Sequence, residues 1–248
     1  MRMRRLVLIG LACLSGCASD PANTVTPGFE GAPGLDRFLV CAPNTVISIP
    51  AELQNSTGAL RDQIDAYLRF HDRKPQSLDL FTCQKLWTQA MAEAKERATL
   101  EQTPAFFARK LDEIYDFDAI VMPSLILHEQ RTTNGYASWD GVDRQMRVLK
   151  GANWGVFKRD AMAQAVSVSG FSGDFMVTSV HVLVFSSAGE KIFEGRGGIE
   201  FVQDVDLTGF ARKRKIEFKL RDDLPGGIDA VREAIAIGFA PFLPVPVD

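Results

Sequence analysis

The apolar positions of this chain follow two rhythms that change over along its length. Arg37–Ala42 is a short apolar run closed by Pro43-Asn44, which predicts a buried strand. Thr45–Ile49 reads as its extension or as the loop that follows. From Ser56 the spacing becomes helical, with Leu60, Ile64, Tyr67, Leu68 and His71 on one face and Arg61, Asp62, Asp65 and Arg69 elsewhere. Pro75 closes that helical region and Leu78–Thr82 predicts the next strand. Leu86, Trp87, Ala90, Met91, Ala94 and Ala98 mark a second helix. A third begins at Thr103-Pro104, with proline in the tolerated first turn and Phe107, Leu111 and Ile114 as its buried stripe.

After Asp118 strands take over. Ala119–Leu127 is almost continuously apolar, as in a strand covered on both faces, and Pro123 predicts a bulge or an edge there. Asp143–Leu149 alternates weakly. In Met176–Phe185, Val180, Val182 and Val184 share one face while His181, Leu183 and Phe185 share the other. Ser187–Glu190 is a hairpin turn, and Lys191–Val202 returns antiparallel. Ile216, Phe218 and Leu220 alternate with charge as a last strand. Ile228, Val231, Ile235 and Phe239 form a closing helix stopped by Pro241, Pro244 and Pro246. This order predicts an α/β (α+β) fold in a single domain. Its sheet is mixed, with an early parallel βαβ half, a later antiparallel meander, and helices packed on it.

The first residues follow neither rhythm. Arg2, Arg4 and Arg5 precede the apolar run Leu6–Leu14, and Ser15-Gly16 are small, which are the three parts of an export signal. The run is too short to cross a bilayer core of about 30 Å. Leu14-Ser15-Gly16-Cys17 resembles the lipobox of bacterial lipoproteins. That resemblance implies cleavage before Cys17, a diacylglyceryl thioether and an amide-linked acyl chain on Cys17, and firm attachment to a membrane. Ala18 stands where an aspartate would signal inner-membrane retention, so the outer membrane is the implied destination, with the body facing the periplasm. The expected organisation is a signal peptide over 1–16, a Pro/Gly/Thr-rich flexible tether over 17–34, and a periplasmic domain over 35–248. An incidental cysteine behind an ordinary secretory signal is the competing reading.

Behind that leader, the strand ending at Ala42-Pro43, the strand-proline element Val121-Met-Pro123 and the hairpin Ser187–Glu190 resemble a group of periplasmic α/β proteins. The group includes the curli-secretion lipoprotein, the lipoprotein activators of penicillin-binding proteins and the amino-terminal domain of TolB. The resemblance spans most of 36–243 and implies fold, not activity. No long amphipathic hairpin of a pore-forming kind stands out.

Composition removes several classes of function. With 46% hydrophobic and 24% charged residues the chain is neither disordered nor fibrous. The balance of 28 basic and 31 acidic side chains becomes 25 against 31 once the three leader arginines are gone, so non-specific nucleic-acid binding is not expected. Cys13 leaves with the leader and Cys17 is acylated, which leaves Cys41 and Cys83 either as a disulfide or as two separate buried thiols.

Candidate chemistry is sparse. His71, His128 and His181 form no metal-ligand spacing, and no cofactor motif is present, so neither a metal nor a cofactor is expected. His128 and His181 sit on predicted strands where they can meet across the sheet, or stay apart as ordinary histidines. Ser169–Gly173 lacks the final glycine of a nucleophile elbow, since position 174 is Asp174. The turns at Asn134-Gly135 and Asp140-Gly141 gather Arg131, Tyr136, Trp139, Asp140, Asp143 and Arg144. Two readings stay open there: a site that stacks a sugar or peptide on Tyr136 and Trp139 and orients it with Arg131, Asp140 and Arg144, or a hairpin whose tryptophan covers the core. Gly195, Gly197 and Gly198 predict close backbone approach, or space for Trp139 or Trp154 over the sheet. Arg212–Lys215 is a basic cluster, either solvated or facing anionic lipid or an acidic partner. The expectation is a lipid-anchored, non-enzymatic assembly or protein-interaction factor with an envelope protein partner. The alternatives are a carbohydrate- or peptide-binding module at Tyr136–Trp139, or an envelope hydrolase with dispersed catalytic residues.

Overall fold

The computed structural model describes residues 24–25, 32, 34–48, 50–149, 172–208 and 215–243. Leu14–Cys17, Trp154, Ser169–Phe171 and Arg212–Arg214 lie outside them. Eleven strands and four α-helices are found among the described residues. A six-stranded sheet runs in the order β1 (Thr24–Val25), β9 (Lys191–Phe201), β8 (Gly173–Ser186), β4 (Ala119–Thr132), β2 (Arg37–Val40), β3 (Lys74–Ser77). β2 is parallel to both β3 and β4, and β8, β9 and β1 add antiparallel neighbours. The α/β class with a mixed sheet and helices packed upon it is thus present.

Period-two alternation decides which helices cover which face. Phe38, Val40, Ala119, Val121, Val180, Val182, Val184 and Phe193 project to one side. There they pack on Leu60, Ile64 and Leu68 of α1 (Thr57–Phe70) and on Val231, Ile235 and Phe239 of α4 (Ile228–Phe239). Leu39, Cys41, Ile120, Met122 and Phe185 project to the other. Their partners are Cys83, Leu86, Ala90 and Ala94 of α2 (Leu80–Glu96) and Phe106, Phe107 and Leu111 of α3 (Thr103–Asp112). The result is three layers, helix–sheet–helix, with α2 and α3 on one face and α1 and α4 on the other, α4 lying over the antiparallel strands β9 and β8.

Three local expectations are corrected. Leu78–Thr82 is not a strand. Asp79 accepts the Thr82 amide at 2.9 Å and the Thr82 hydroxyl at 2.6 Å, which caps α2 and turns those residues into a helix start. The strand is instead Lys74–Ser77, where Pro75 is accommodated because β3 is the sheet's edge. Pro123 makes neither a bulge nor an edge: β4 pairs with β8 in unbroken register from Ala119 to Thr132. On β4 the carbonyls of Val121 and Pro123 face β2 and receive the amides of Cys41 and Asn44 at 2.9 Å, and β2 has ended at Val40. The donor that Pro123 lacks would point where no ladder partner remains. Lastly, the tether expected over 17–34 is held at two points. Thr24 and Val25 pair with Glu194 and Phe193 of β9, and Ala32 is buried in the core.

Beyond the helices, the long β4–β8 ribbon carries a second layer. The hairpin of β5 (Tyr136–Trp139) and β6 (Val142–Gln145) lies over it, and a three-stranded sheet has the order β11 (Lys215–Leu220), β10 (Gln203–Thr208), β7 (Val148–Leu149). Ala137, Trp139, Val142, Met146, Val177, Phe201 and Val205 fill the space between. Strand β7 runs parallel to β10, a pairing absent from the expected meander. The three glycines of β9 explain how tightly these parts approach. A Cβ on Gly195 or Gly197 would overlap the backbone carbonyl oxygens of Gly238 and Ala234 in α4, and one on Gly198 would lie 2.8 Å from Trp139 Nε1. Of the two tryptophans considered for that space, Trp139 occupies it.

Candidate functional site

Polar side chains gather where the sheet emerges from under α2 and α3. On β8, Ser179 and His181 occupy the face opposite Val180 and Val182, and the corresponding face of β4 carries Ser124 and His128. The β5–β6 connection supplies the fifth member, Asp140. Asp140 and Gly141 both have positive φ, 42° and 81°, as a two-residue primed turn demands, and Asn134-Gly135 does the same at 52° and 77°. The Asp140-Gly141 turn is pinned to the sheet by the Gly198 amide, which donates to the Asp140 carbonyl at 2.9 Å.

Asp140 is thereby set above Ser179 and His128. The Ser179 hydroxyl donates to Asp140 Oδ2 at 2.7 Å, and His128 Nε2 lies 3.0 Å from Ser179 Oγ and 3.3 Å from Asp140 Oδ2. Burial alone would raise the Asp140 pKa. Hydrogen bonds from His128 and Ser179, with the nearby Arg196 cation adding to them, hold it below the ordinary carboxylate value instead. Alongside, His181 Nε2 meets Glu194 Oε1 at 2.9 Å and Lys191 Nζ meets Glu194 Oε2 at 2.8 Å. Lys191 first and His181 second keep Glu194 ionised, against the opposing effect of burial. His128 and His181 therefore serve separate carboxylates and do not meet. Among the described residues no group of three His, Cys, Asp or Glu side chains is placed to hold a metal ion.

Serine, histidine and aspartate in contact invite comparison with a nucleophilic triad, and the geometry differs from one. A triad needs the hydroxyl to donate to one imidazole nitrogen while the other donates to the carboxylate. Here a single nitrogen, Nε2, faces both oxygens, and the serine proton is already committed to Asp140. Ser179 is also fully buried, so an attacked carbonyl has no approach to it. The cluster does a different job: it bolts the β5–β6 turn to the sheet through three side chains from three strands or turns.

The five residues considered as a ligand site do not converge. Trp139 is 2% exposed, its ring 5.3 Å from that of Phe201 in an edge-on contact, and its indole N–H donates to the Thr178 carbonyl at 3.2 Å. It covers the core and offers no face for stacking, which corrects the reading of Trp139 as a stacking platform. Alternation on β5 sends Tyr136 to the opposite face, where it is half exposed. Arg131 is solvent-exposed, 3.7 Å from Asp174. Arg144 is spent on structure: Nε donates to the Ile199 carbonyl at 2.9 Å, and Nη2 meets Glu233 of α4 at 2.6 Å. Only Asp140 joins the cluster described above.

Cys41 and Cys83 are side by side as free, fully buried thiols. The Ala42 amide donates to Cys83 Sγ at 3.4 Å, and contact with Cys83 together with burial pushes the Cys41 thiol well up. Sequence reasoning passed over Ser179, although a Ser-x-His pair opposite a valine stripe is a legible sign of a polar sheet face. It also missed an ion network under the second layer. There Arg147 grips Asp204 through two bonds of 2.9 and 2.6 Å, while the buried Arg221 joins Asp223 at 2.9 Å and Glu200 at 2.6 Å. The runs Asp204-Val-Asp206 and Arg221-Asp-Asp223 are its only trace in the sequence.

Compared with known proteins, the chain finds no significant match to any protein-family model, curated protein or solved structure.

Proposed function

We propose that this protein is a lipid-anchored, periplasm-facing component of the cell envelope, held in the outer membrane by acylated Cys17, that acts without enzymatic turnover as an assembly or protein-interaction factor. The observation that carries the reading is Leu14-Ser15-Gly16-Cys17 at the end of a short apolar run behind three arginines. The shape of the body supports it. No helix among the described residues is long and apolar enough to cross a membrane. The side chains with the composition of a hydrolytic centre are locked into a turn-to-sheet fastening with a buried serine. The burial of Trp139 takes away the platform that a glycan-binding reading needs.

The test has two parts. Wild-type protein and a Cys17→Ser variant are expressed in an envelope-bearing bacterium fed with labelled palmitate, and membranes are separated by density. Label in the wild type alone, in the outer-membrane fraction, is expected; unlabelled wild type in the soluble fraction contradicts the anchor. Cross-linking in intact envelopes then captures a stoichiometric protein partner, whereas turnover of peptidoglycan fragments by the purified body contradicts the non-enzymatic role.

A further inference from the structure

The position of β1 limits how far the body can stand from its membrane. Thr24 and Val25 form the outermost strand of the main sheet, antiparallel to β9, opposite Glu194 and Phe193. Strand β9 is no loose edge. Phe193 is fully buried, its ring stacked 5.1 Å from that of Phe242, and Glu194 is tied to Lys191 and His181. A few residues further on, Ala32 is buried in the same core and its carbonyl accepts the Leu35 amide at 3.1 Å. From Thr24 onward, then, the chain is fastened to the body at two points before β2 begins at Arg37.

We infer that β1 is a clip that shortens the lipid leash and keeps the β9 edge of the sheet next to a phospholipid surface. This rests on the anchor at Cys17. Between Cys17 and Thr24 lie only residues 18–23, a contour of at most about 25 Å, whereas a tether loose as far as Leu35 would reach about 60 Å. The attachment point is on the β9 edge. The opposite edge, β3, lies five strand spacings from β1, about 24 Å across the sheet. The edge nearest the leash is therefore the membrane-proximal one, and the β3–α2 side is turned toward the periplasm.

The clip makes lengthening the chain matter on one side of it and not on the other. The experiment uses full-length lipidated protein in phosphatidylethanolamine–phosphatidylglycerol vesicles carrying an acceptor lipid. A donor dye sits on exposed Gln76 through Gln76→Cys, since Cys41 and Cys83 are buried. A Gly-Ser insert of about twelve residues is placed either after Asn23 or after Gly28. The insert after Asn23 moves the donor away from the bilayer by about 10 Å, by the square-root growth of a flexible leash, and lowers energy transfer. The insert after Gly28 leaves transfer at the wild-type level. Equal loss from both inserts, or no loss from either, overturns the clip. Vesicle co-sedimentation is scored first. If the wild type fails to sediment, the anchor itself is refuted, and the clip is then judged on the body alone by amide hydrogen exchange. Protection at Thr24 or Val25 upholds the pairing of β1 with β9 and full exchange at both removes it, while the placement of that edge at a membrane falls with the anchor.

Discussion

Truncating Trp139 to alanine separates a core residue from a binding residue. The indole is 2% exposed, packs edge-on against Phe201 and gives its N–H to the Thr178 carbonyl. Replacing a buried tryptophan by alanine costs about 3–5 kcal/mol, and loss of the N–H bond, about 1 kcal/mol on its own, lies within that range. On one side the space is bounded by Gly198, where even an added Cβ would lie 2.8 Å from the indole Nε1. A loss of about 4 kcal/mol is a large share of the roughly 5–15 kcal/mol that holds an average domain together. Trp139→Phe keeps an aromatic ring against Phe201 and gives up the hydrogen bond, so it costs about 1–2 kcal/mol. Urea unfolding followed by circular dichroism reads both. An unfolding midpoint that does not move in Trp139→Ala refutes the packing account. Saturable glycan binding that disappears in a fully stable Trp139→Phe variant restores the stacking site.

Three further outcomes follow from the same geometry. Gly197→Ala sets a methyl group against the backbone of Ala234 in α4, so stability to thermal unfolding is expected to drop by an overpacking cost of about 1–3 kcal/mol, whereas Gly58→Ala in α1, where the added carbon meets nothing, gains up to about 1 kcal/mol; equal stability of both denies the close approach of α4. Asp118 accepts the Arg37 guanidinium at 2.8 Å and the Asp36 and Arg37 amides at 2.9 and 2.8 Å, and Arg37 holds its pKa far below the ordinary carboxylate range. Because the folded value is the lower one, the stabilisation is complete above the unfolded value near 4 and fades as pH falls through it. The stability gap between wild type and Asp118→Asn is therefore widest at pH 7 and narrows below about pH 4; a gap that ignores pH contradicts the pairing. Finally, the Cys41 and Cys83 thiols are in contact, so a glutathione redox buffer is expected to join them during refolding. The mass falls by two hydrogens, and closing a loop of about forty residues raises stability by roughly 4 kcal/mol in the chain-entropy picture; persistent thiols under oxidising refolding refute it.

Much of the fold was legible because alternation and helical spacing are local properties. The valine stripe of β8, the hairpin after Ser186, the α1 face and the terminal helix all follow from residues that report their own burial. What escaped depends on partners distant in sequence. Leu78–Thr82 has a strand's hydrophobicity, and a single aspartate cap decided for helix. Pro123 looks disruptive until the end of β2 at Val40 is known. The cluster of His128, Asp140 and Ser179 joins positions up to 51 residues apart, each unremarkable alone. Trp139 was ambiguous for the same reason: a tryptophan beside a tight turn reads alike as platform or plug, and the choice was made by Gly198 on another strand.

The proposed role depends first on the chemistry of one sulfur atom. Intact mass spectrometry of the protein extracted from envelopes measures it. The account predicts a chain that starts at Cys17 and carries the added mass of a diacylglyceryl group and an amide-linked acyl chain. A chain that still starts at Met1, or one that starts at or beyond residue 17 with no lipid on it, contradicts the account.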